Sequence, residues 1–328
     1  MLIAVGLLLT LAAIGVFYQA VSVRREAGRF PPPGRLVDIG GRRLHLLCIG
    51  EGSPVVIFES SGFGNALSSS KAREEIGART RVCSYDRMGT GWSDPGPDII
   101  PAGALADDLE RLLDRAAVPP PYILVASSIG GLTSELFARR HADRVAGLVF
   151  LDAATSGLLD RLLPDLTWTR TQAACLATLA ARVGLLRLMD PFDLRRNGTE
   201  YEARAVALMY RVEPMATICG IVRGAPTTAE EFRAAPPLAP DVTLTVLSAE
   251  SNKGLLPAGW AGGERIITKE ERYAIHEAMS RRSSRGQWRI VPGSSHLIGS
   301  SQPQAVASAV IEMIEQIRGR AARPAGSS

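Results

Sequence analysis

Apolar runs recur along the chain at 43–49, 54–59, 81–86, 122–127, 145–152 and 242–248, separated by helix-like stretches. Runs such as VVIF, YILVA and GLVFL lack polar alternation, the pattern of strands covered on both faces by helices in a largely parallel sheet. Between the third and fourth runs, 104–117 carries Leu105, Leu109, Leu112 and Leu113 on one helical face. Segments 131–140 and 305–317 repeat apolar residues three and four apart and are predicted as covering helices. From about 155 to 240 the alternation is interrupted by helical segments, which predicts an insertion over the site. That reading requires the flanking strands to belong to one sheet.

The first 23 residues carry no charged side chain. As a helix they would reach about 34 Å at about 1.5 Å per residue, enough to cross a bilayer core. Residues 1–23 are expected to be a membrane segment, 24–34 an Arg/Pro-rich linker ending in FPPPG, 35–320 the folded domain, and 321–328 a polar tail. Arg24, Arg25 and Arg29 follow the span, and the positive-inside rule then predicts a cytoplasmic domain. A cleaved signal peptide is the alternative, with small residues at Ala20-Val21-Ser22 and no basic leader. The chain carries no signal for its oligomeric state.

Composition narrows the function classes. With 46% hydrophobic and 21% charged residues, the 328-residue chain has material for one large core and is not disordered. The net charge of +4 is spread over scattered arginines without a basic strip, which argues against nucleic acid. His45, His141, His276 and His296 form no HExxH or HxH pair, so no metal site is expected. Cys48, Cys83, Cys175 and Cys219 lack CxxC spacing, and the first two lie in apolar runs, which predicts buried free thiols and no disulfide framework. Asn197-Gly198-Thr199 matches a glycosylation sequon, a pattern common by chance.

The chemistry concentrates at Tyr122 to Gly131, YILVASSIGG, a strand, a sharp turn and a helix with Ser128 at the turn. A nucleophile on such a turn needs small residues two before and two after it, and Ala126 and Gly130 meet that need. Alanine departs from G-x-S-x-G by one methyl. The turn also aims the Ile129 N–H and the helix N-terminus at a developing oxyanion. The competing reading is a serine that only caps the helix.

These segments resemble the α/β-hydrolase superfamily, in particular bacterial members with an E-S-G oxyanion loop and a Y-D-R-x-G-x-G-x-S-D segment. The matching stretches, in the family's order, are FESSGFG, YDRMGTGWSD, VASSIGG, GLVFLDAA and VPGSSHLI. The resemblance implies a mostly parallel sheet of about eight strands with flanking helices and a helical cap after the sixth. It implies Ser128 as nucleophile and His296, on a late loop before the terminal helix, as general base. The oxyanion donors would be the N–H groups of Ile129 and Phe63, with Gly62 the alternative because this loop has an extra serine. Glu59, Asp86 and Arg87 are expected to brace loops. Aspartate-nucleophile dehalogenases and epoxide hydrolases are disfavoured by the serine.

Two carboxylates could orient His296. Asp152 ends the sixth strand, and Glu250 lies in SAESN, where the usual aspartate position holds Asn252. Asp152 is preferred. The expected activity is hydrolysis of a small-molecule ester-like acyl substrate, without cofactor. The alternative is a membrane-displayed binding protein that keeps the fold without turnover.

Overall fold

The computed structural model describes residues 1–166, 168–191, 193–195, 199–253 and 267–322. Its centre is an eight-stranded sheet in the order β1-β2-β4-β3-β5-β6-β7-β8. The strands are β1 (Arg35–Asp38), β2 (Arg43–Ile49), β3 (Val55–Glu59), β4 (Val82–Tyr85), β5 (Tyr122–Ser127), β6 (Val145–Leu151), β7 (Thr243–Ala249) and β8 (Gly286–Val291). β1–β2 and β2–β4 pair antiparallel; every other pair is parallel.

The unbroken apolar runs are explained by two cores, one on each face. In β5, Tyr122, Leu124 and Ala126 join one core while Ile123 and Val125 join the other, the period of two that a pleated strand imposes. The first core is closed by α3 (Ala102–Arg115), through Leu105, Leu109, Leu112 and Leu113. Each such buried leucine contributes about 1.5–3 kcal/mol. The second is closed by α2 (Ser70–Gly77) and the helix Pro303–Ala321.

After β6 the chain leaves the sheet and forms α5 (Ser156–Leu162), α6 (Trp168–Arg182), α7 (Leu185–Met189), α8 (Glu200–Met209) and α9 (Val212–Ala234) before returning as β7. β6 and β7 are neighbours in register, Gly147 beside Thr243, so these helices are an insertion into one sheet.

Three features differ from expectation. The first helix, α1, runs Leu2–Arg29 and takes in most of the charged segment expected to be linker. It continues because its inner face is held by the insertion: Glu26 pairs with Arg187, and Phe30 is buried. Second, the four cysteines are paired, Cys48 with Cys83 and Cys175 with Cys219. The free-thiol expectation fails because β2 and β4 place Cys48 directly opposite Cys83, and the second bridge joins α6 to α9. Third, β1 is a strand that no apolar run announces. Of the sequon, Asn197 and Gly198 lie outside the described residues, as do 323–328 of the tail.

Candidate active site

Ser128 lies between β5 and α4 (Gly130–Arg140) with φ +52°, the left-handed conformation of a sharp strand-to-helix turn. Its carbonyl accepts the N–H of Gly131 (3.0 Å) and of Ala154 (2.8 Å), tying the turn to the chain leaving β6. The small neighbours are a packing requirement. A Cβ on Gly130 would lie 2.6 Å from Glu59 Cγ and 2.7 Å from the Ser60 carbonyl oxygen, and Ala126 is fully buried in the sheet.

The Ser128 hydroxyl is 2.8 Å from His296 Nε2, and His296 Nδ1 is 2.7 Å from Asp152 Oδ2. Three chain segments far apart in sequence thus meet in one row. Asp152 stands just past β6 with φ +45°, and His296 is held by its backbone N–H donating to the Lys253 carbonyl at 2.9 Å. The second Asp152 oxygen accepts the Ala249 N–H at 2.9 Å and a buried Arg272 Nη1. Burial works to raise the Asp152 pKa, but the His296 hydrogen bond and the nearby positive charge of Arg272 help to outweigh it, and the carboxyl is held below its ordinary value. An ionised Asp152 keeps the imidazole proton on Nδ1 and leaves Nε2 as acceptor for the serine.

Glu250 points elsewhere. Its carboxylate accepts the Gly293 N–H at 2.7 Å, and its own N–H donates to Ser294 Oγ at 3.0 Å, so it shapes the loop that carries His296.

Arg272 and His276 form a support around Asp152 that the sequence reading did not assign. Both are buried on the helix Lys269–Ser280. His276 Nε2 is 3.0 Å from the Ala153 carbonyl and its Nδ1 is 2.7 Å from Ser248 Oγ. Burial pushes its pKa below the usual histidine value, so it stays neutral, donating through Nε2 and accepting at Nδ1. The available signal was their spacing of four, one face of an otherwise charged helix.

The loop after β3 sits beside the elbow. Gly64 N–H donates to the Ser61 carbonyl at 3.0 Å, closing a turn over Gly62 and Phe63. The space above Gly62 is bounded by Ile129 Cγ2 and by Ile218 Cδ1 of α9. The turn therefore lies against the elbow, roofed by the inserted helices. Glu59 anchors its root by accepting from Arg87 Nη2 (2.6 Å) and the Tyr85 hydroxyl, with all three side chains buried. Burial raises the Glu59 pKa against the downward pull of Arg87. Asp86 accepts from the Trp92 and Ala66 N–H groups and lies 2.8 Å from His45 Nδ1. These are bracing contacts. His141 caps α4 and lies 3.3 Å from Glu110, away from the row. No group of His, Cys, Asp and Glu side chains that could hold a metal ion occurs among the described residues.

Comparison with known proteins agrees with this architecture. A thermophilic esterase from Thermogutta terrifontis superposes with TM-score 0.61 at 22% identity, over 84% of this chain and 94% of the other. The enol-lactonase of Burkholderia xenovorans gives 0.60 at 18% identity, over 85% and 99%. A laboratory-evolved potato epoxide hydrolase gives 0.66 at 16% identity, over 86% and 98%. At these identities the likeness is one of fold. Among curated relatives, an uncharacterized protein of Schizosaccharomyces pombe is 39% identical over 125 residues, 37% of this chain and 23% of its own length. A cis-3-alkyl-4-alkyloxetan-2-one decarboxylase of Shewanella oneidensis is 33% identical over 135 residues, 39% and 41%. The matches span under half the length of these relatives. A family model described as "Alpha/beta hydrolase family" matches residues 56–309. With the sheet order, the elbow after β5 and a match over most of its length, this chain belongs to the alpha/beta hydrolase family.

Proposed function

We propose that the protein is a serine hydrolase acting on ester-like acyl compounds. The observation that carries the reading is the row Ser128–His296–Asp152, hydrogen-bonded end to end at a strained elbow. Ser128 Oγ attacks the acyl carbonyl carbon as His296 Nε2 takes the hydroxyl proton, and the carbonyl π electrons move onto oxygen. The N–H groups of Ile129 and Phe63 hold that oxyanion. The electrons return, the bond to the leaving group breaks, and His296 delivers its proton to the departing atom. Water then repeats the sequence on the acyl-enzyme, releasing the acid and restoring Ser128. Asp152 stabilises the imidazolium throughout and itself stays ionised. Preorganised donors of this type contribute about 2.7–4 kcal/mol each to the transition state.

The neighbours named esterase and lactonase fit this acyl chemistry, and serine at the elbow favours it over direct epoxide opening. Fluorophosphonate labelling tests it. A labelled Ser128 supports the hydrolase, and an unlabelled but folded protein supports the non-catalytic binding alternative.

We also propose that α1 is retained as a membrane anchor and that the domain stands on the oxidising side. The arginines after the span argue for the cytoplasm. Two disulfides argue more strongly against it, because cytosolic thiols are kept reduced. Thiol-blocking before lysis distinguishes the sides: a cytoplasmic domain would carry four alkylated cysteines, an external one none.

A further inference from the structure

The apolar surface of α1 continues onto the inserted helices. One face of α1, at Ala12, Gly15, Gln19, Ser22 and Glu26, is turned inward while the rest of the helix is largely exposed. The spacing of three and four makes it a single stripe. Contact there is close. A Cβ on Gly15 would strike the Val183 carbonyl, and one on Gly184 would sit 2.9 Å from the Tyr18 ring. Polar contacts tie the stripe to the domain: Gln19 Nε2 donates to the Tyr210 carbonyl at 2.7 Å, Gln19 Oε1 accepts from Arg187 at 3.0 Å, and Glu26 pairs with Arg187. The corner between α6 and α7 is therefore fixed alongside the middle of the candidate span.

That corner is apolar on its outside. Trp168, Leu176 and Leu179 of α6 are 77%, 62% and 58% exposed, and Leu188 and Met189 of α7 are 64% and 67% exposed. At 100° per residue the three on α6 fall within about a quarter turn of one another. At the same level of α1, Ile14 and Phe17 are exposed too. Exposed large apolar side chains on α6, on α7 and on the adjoining stretch of α1 are more than isolated surface residues and mark an interaction surface.

Its level along α1 identifies the occupant. Arg25, Arg29 and Arg195, with Glu26, line a groove of about 440 Å³ where α1 enters the domain, and arginines at the end of a span settle at the lipid–water interface on either side of a membrane. Gly15 lies ten residues nearer the N-terminus than Arg25, about 15 Å further along the axis, on the acyl side of those arginines. We infer that the lipid bilayer covers this face: the inserted helices α6 and α7 are embedded in the leaflet that α1 enters, and the domain is seated on the membrane through its cap. The Cys175–Cys219 bridge joins the lipid-facing α6 to α9 one residue from Ile218, which overlies Gly62. The inference requires α1 to remain in the mature chain and is independent of the hydrolytic reading.

Its test uses the full chain in phosphatidylcholine–phosphatidylglycerol vesicles. All four native cysteines are bonded, so an introduced thiol labels alone. Leu179→Cys and Leu188→Cys report the face, Leu8→Cys reports α1, and Gln316→Cys on the exposed side of the C-terminal helix is the aqueous reference. Each variant carries an environment-sensitive fluorophore and is first required to keep the parent's thermal transition. The expected result is that labels at 179 and 188 follow the label at 8, blue-shifted, quenched several-fold more by nitroxide lipid than the 316 label and shielded from iodide. Labels at 179 and 188 that behave like 316 while 8 is lipid-quenched overturn the inference. So does loss of lipid quenching at every position, which would mean that α1 does not hold the domain at the membrane.

Discussion

Replacing Asp152 by asparagine separates the orienting acid from its surroundings. The amide keeps the size of the side chain, and its oxygen can still accept the Ala249 N–H and the Arg272 guanidinium. Its NH₂, however, faces His296 Nδ1 at 2.7 Å, where the carboxylate had accepted. Nδ1 must then be the unprotonated nitrogen, so Nε2 carries the proton and points it at Ser128, 2.8 Å away. The imidazole can no longer take the serine proton, and the imidazolium loses its counter-charge. In a triad of this geometry the loss is about 10⁴-fold in kcat, or about 5.5 kcal/mol at about 1.36 kcal/mol per decade. Stability should fall by much less, about 1–3 kcal/mol, since Arg272 keeps an acceptor. Glu250→Gln should change kcat less than about threefold, because the amide oxygen can still accept the Gly293 N–H. The assay is p-nitrophenyl ester turnover over a chain-length series, with urea midpoints for each variant. Turnover within tenfold of the parent in Asp152→Asn, beside a collapse in Glu250→Gln, would refute the reasoning.

Three further outcomes follow from the same geometry. Gly130→Ala should lower the thermal midpoint, costing about 1–3 kcal/mol, because the new methyl meets Glu59 and the Ser60 carbonyl; an unchanged midpoint would mean that the elbow has room. Reducing the disulfides, which span 35 and 44 residues, should destabilise the domain by up to about 4 kcal/mol each on the chain-entropy account, read as a fall in midpoint with dithiothreitol and four titratable thiols after unfolding. Asp152 has a folded pKa below its unfolded one, so its contribution is complete above the unfolded value and lost as pH falls through the folded one. Between about pH 5 and pH 2 the parent should therefore lose more stability than Asp152→Asn, and parallel urea curves for the two would contradict that sign.

The parts legible in the sequence were those whose signal is local. An elbow needs Ala126, Ser128 and Gly130 within five residues, and the apolar runs of β2 to β7 announce strands buried on both faces. β1 escaped notice because only Val37 of its four residues is buried. The disulfides depend on register between β2 and β4 and on the meeting of α6 with α9, neither of which spacing reveals. The contact of Asp152 with the His296 ring depends on where the chain leaves β6 beside β7, while Glu250 accepts the Gly293 N–H of the same loop, and neither contact can be read from spacing. The charged stretch after residue 23 read as linker because its helical face is held by Arg187, more than 150 residues away.

The central claim, that Ser128 is a nucleophile activated by His296, is tested most directly by mapping a fluorophosphonate adduct by mass spectrometry in the parent, Ser128→Ala and His296→Ala proteins. The account predicts one adduct, on Ser128, absent from Ser128→Ala and formed at least about a hundredfold more slowly in His296→Ala, with thermal midpoints close to the parent's. An adduct on Ser127, a folded parent that takes no label, or undiminished ester turnover in Ser128→Ala would contradict it.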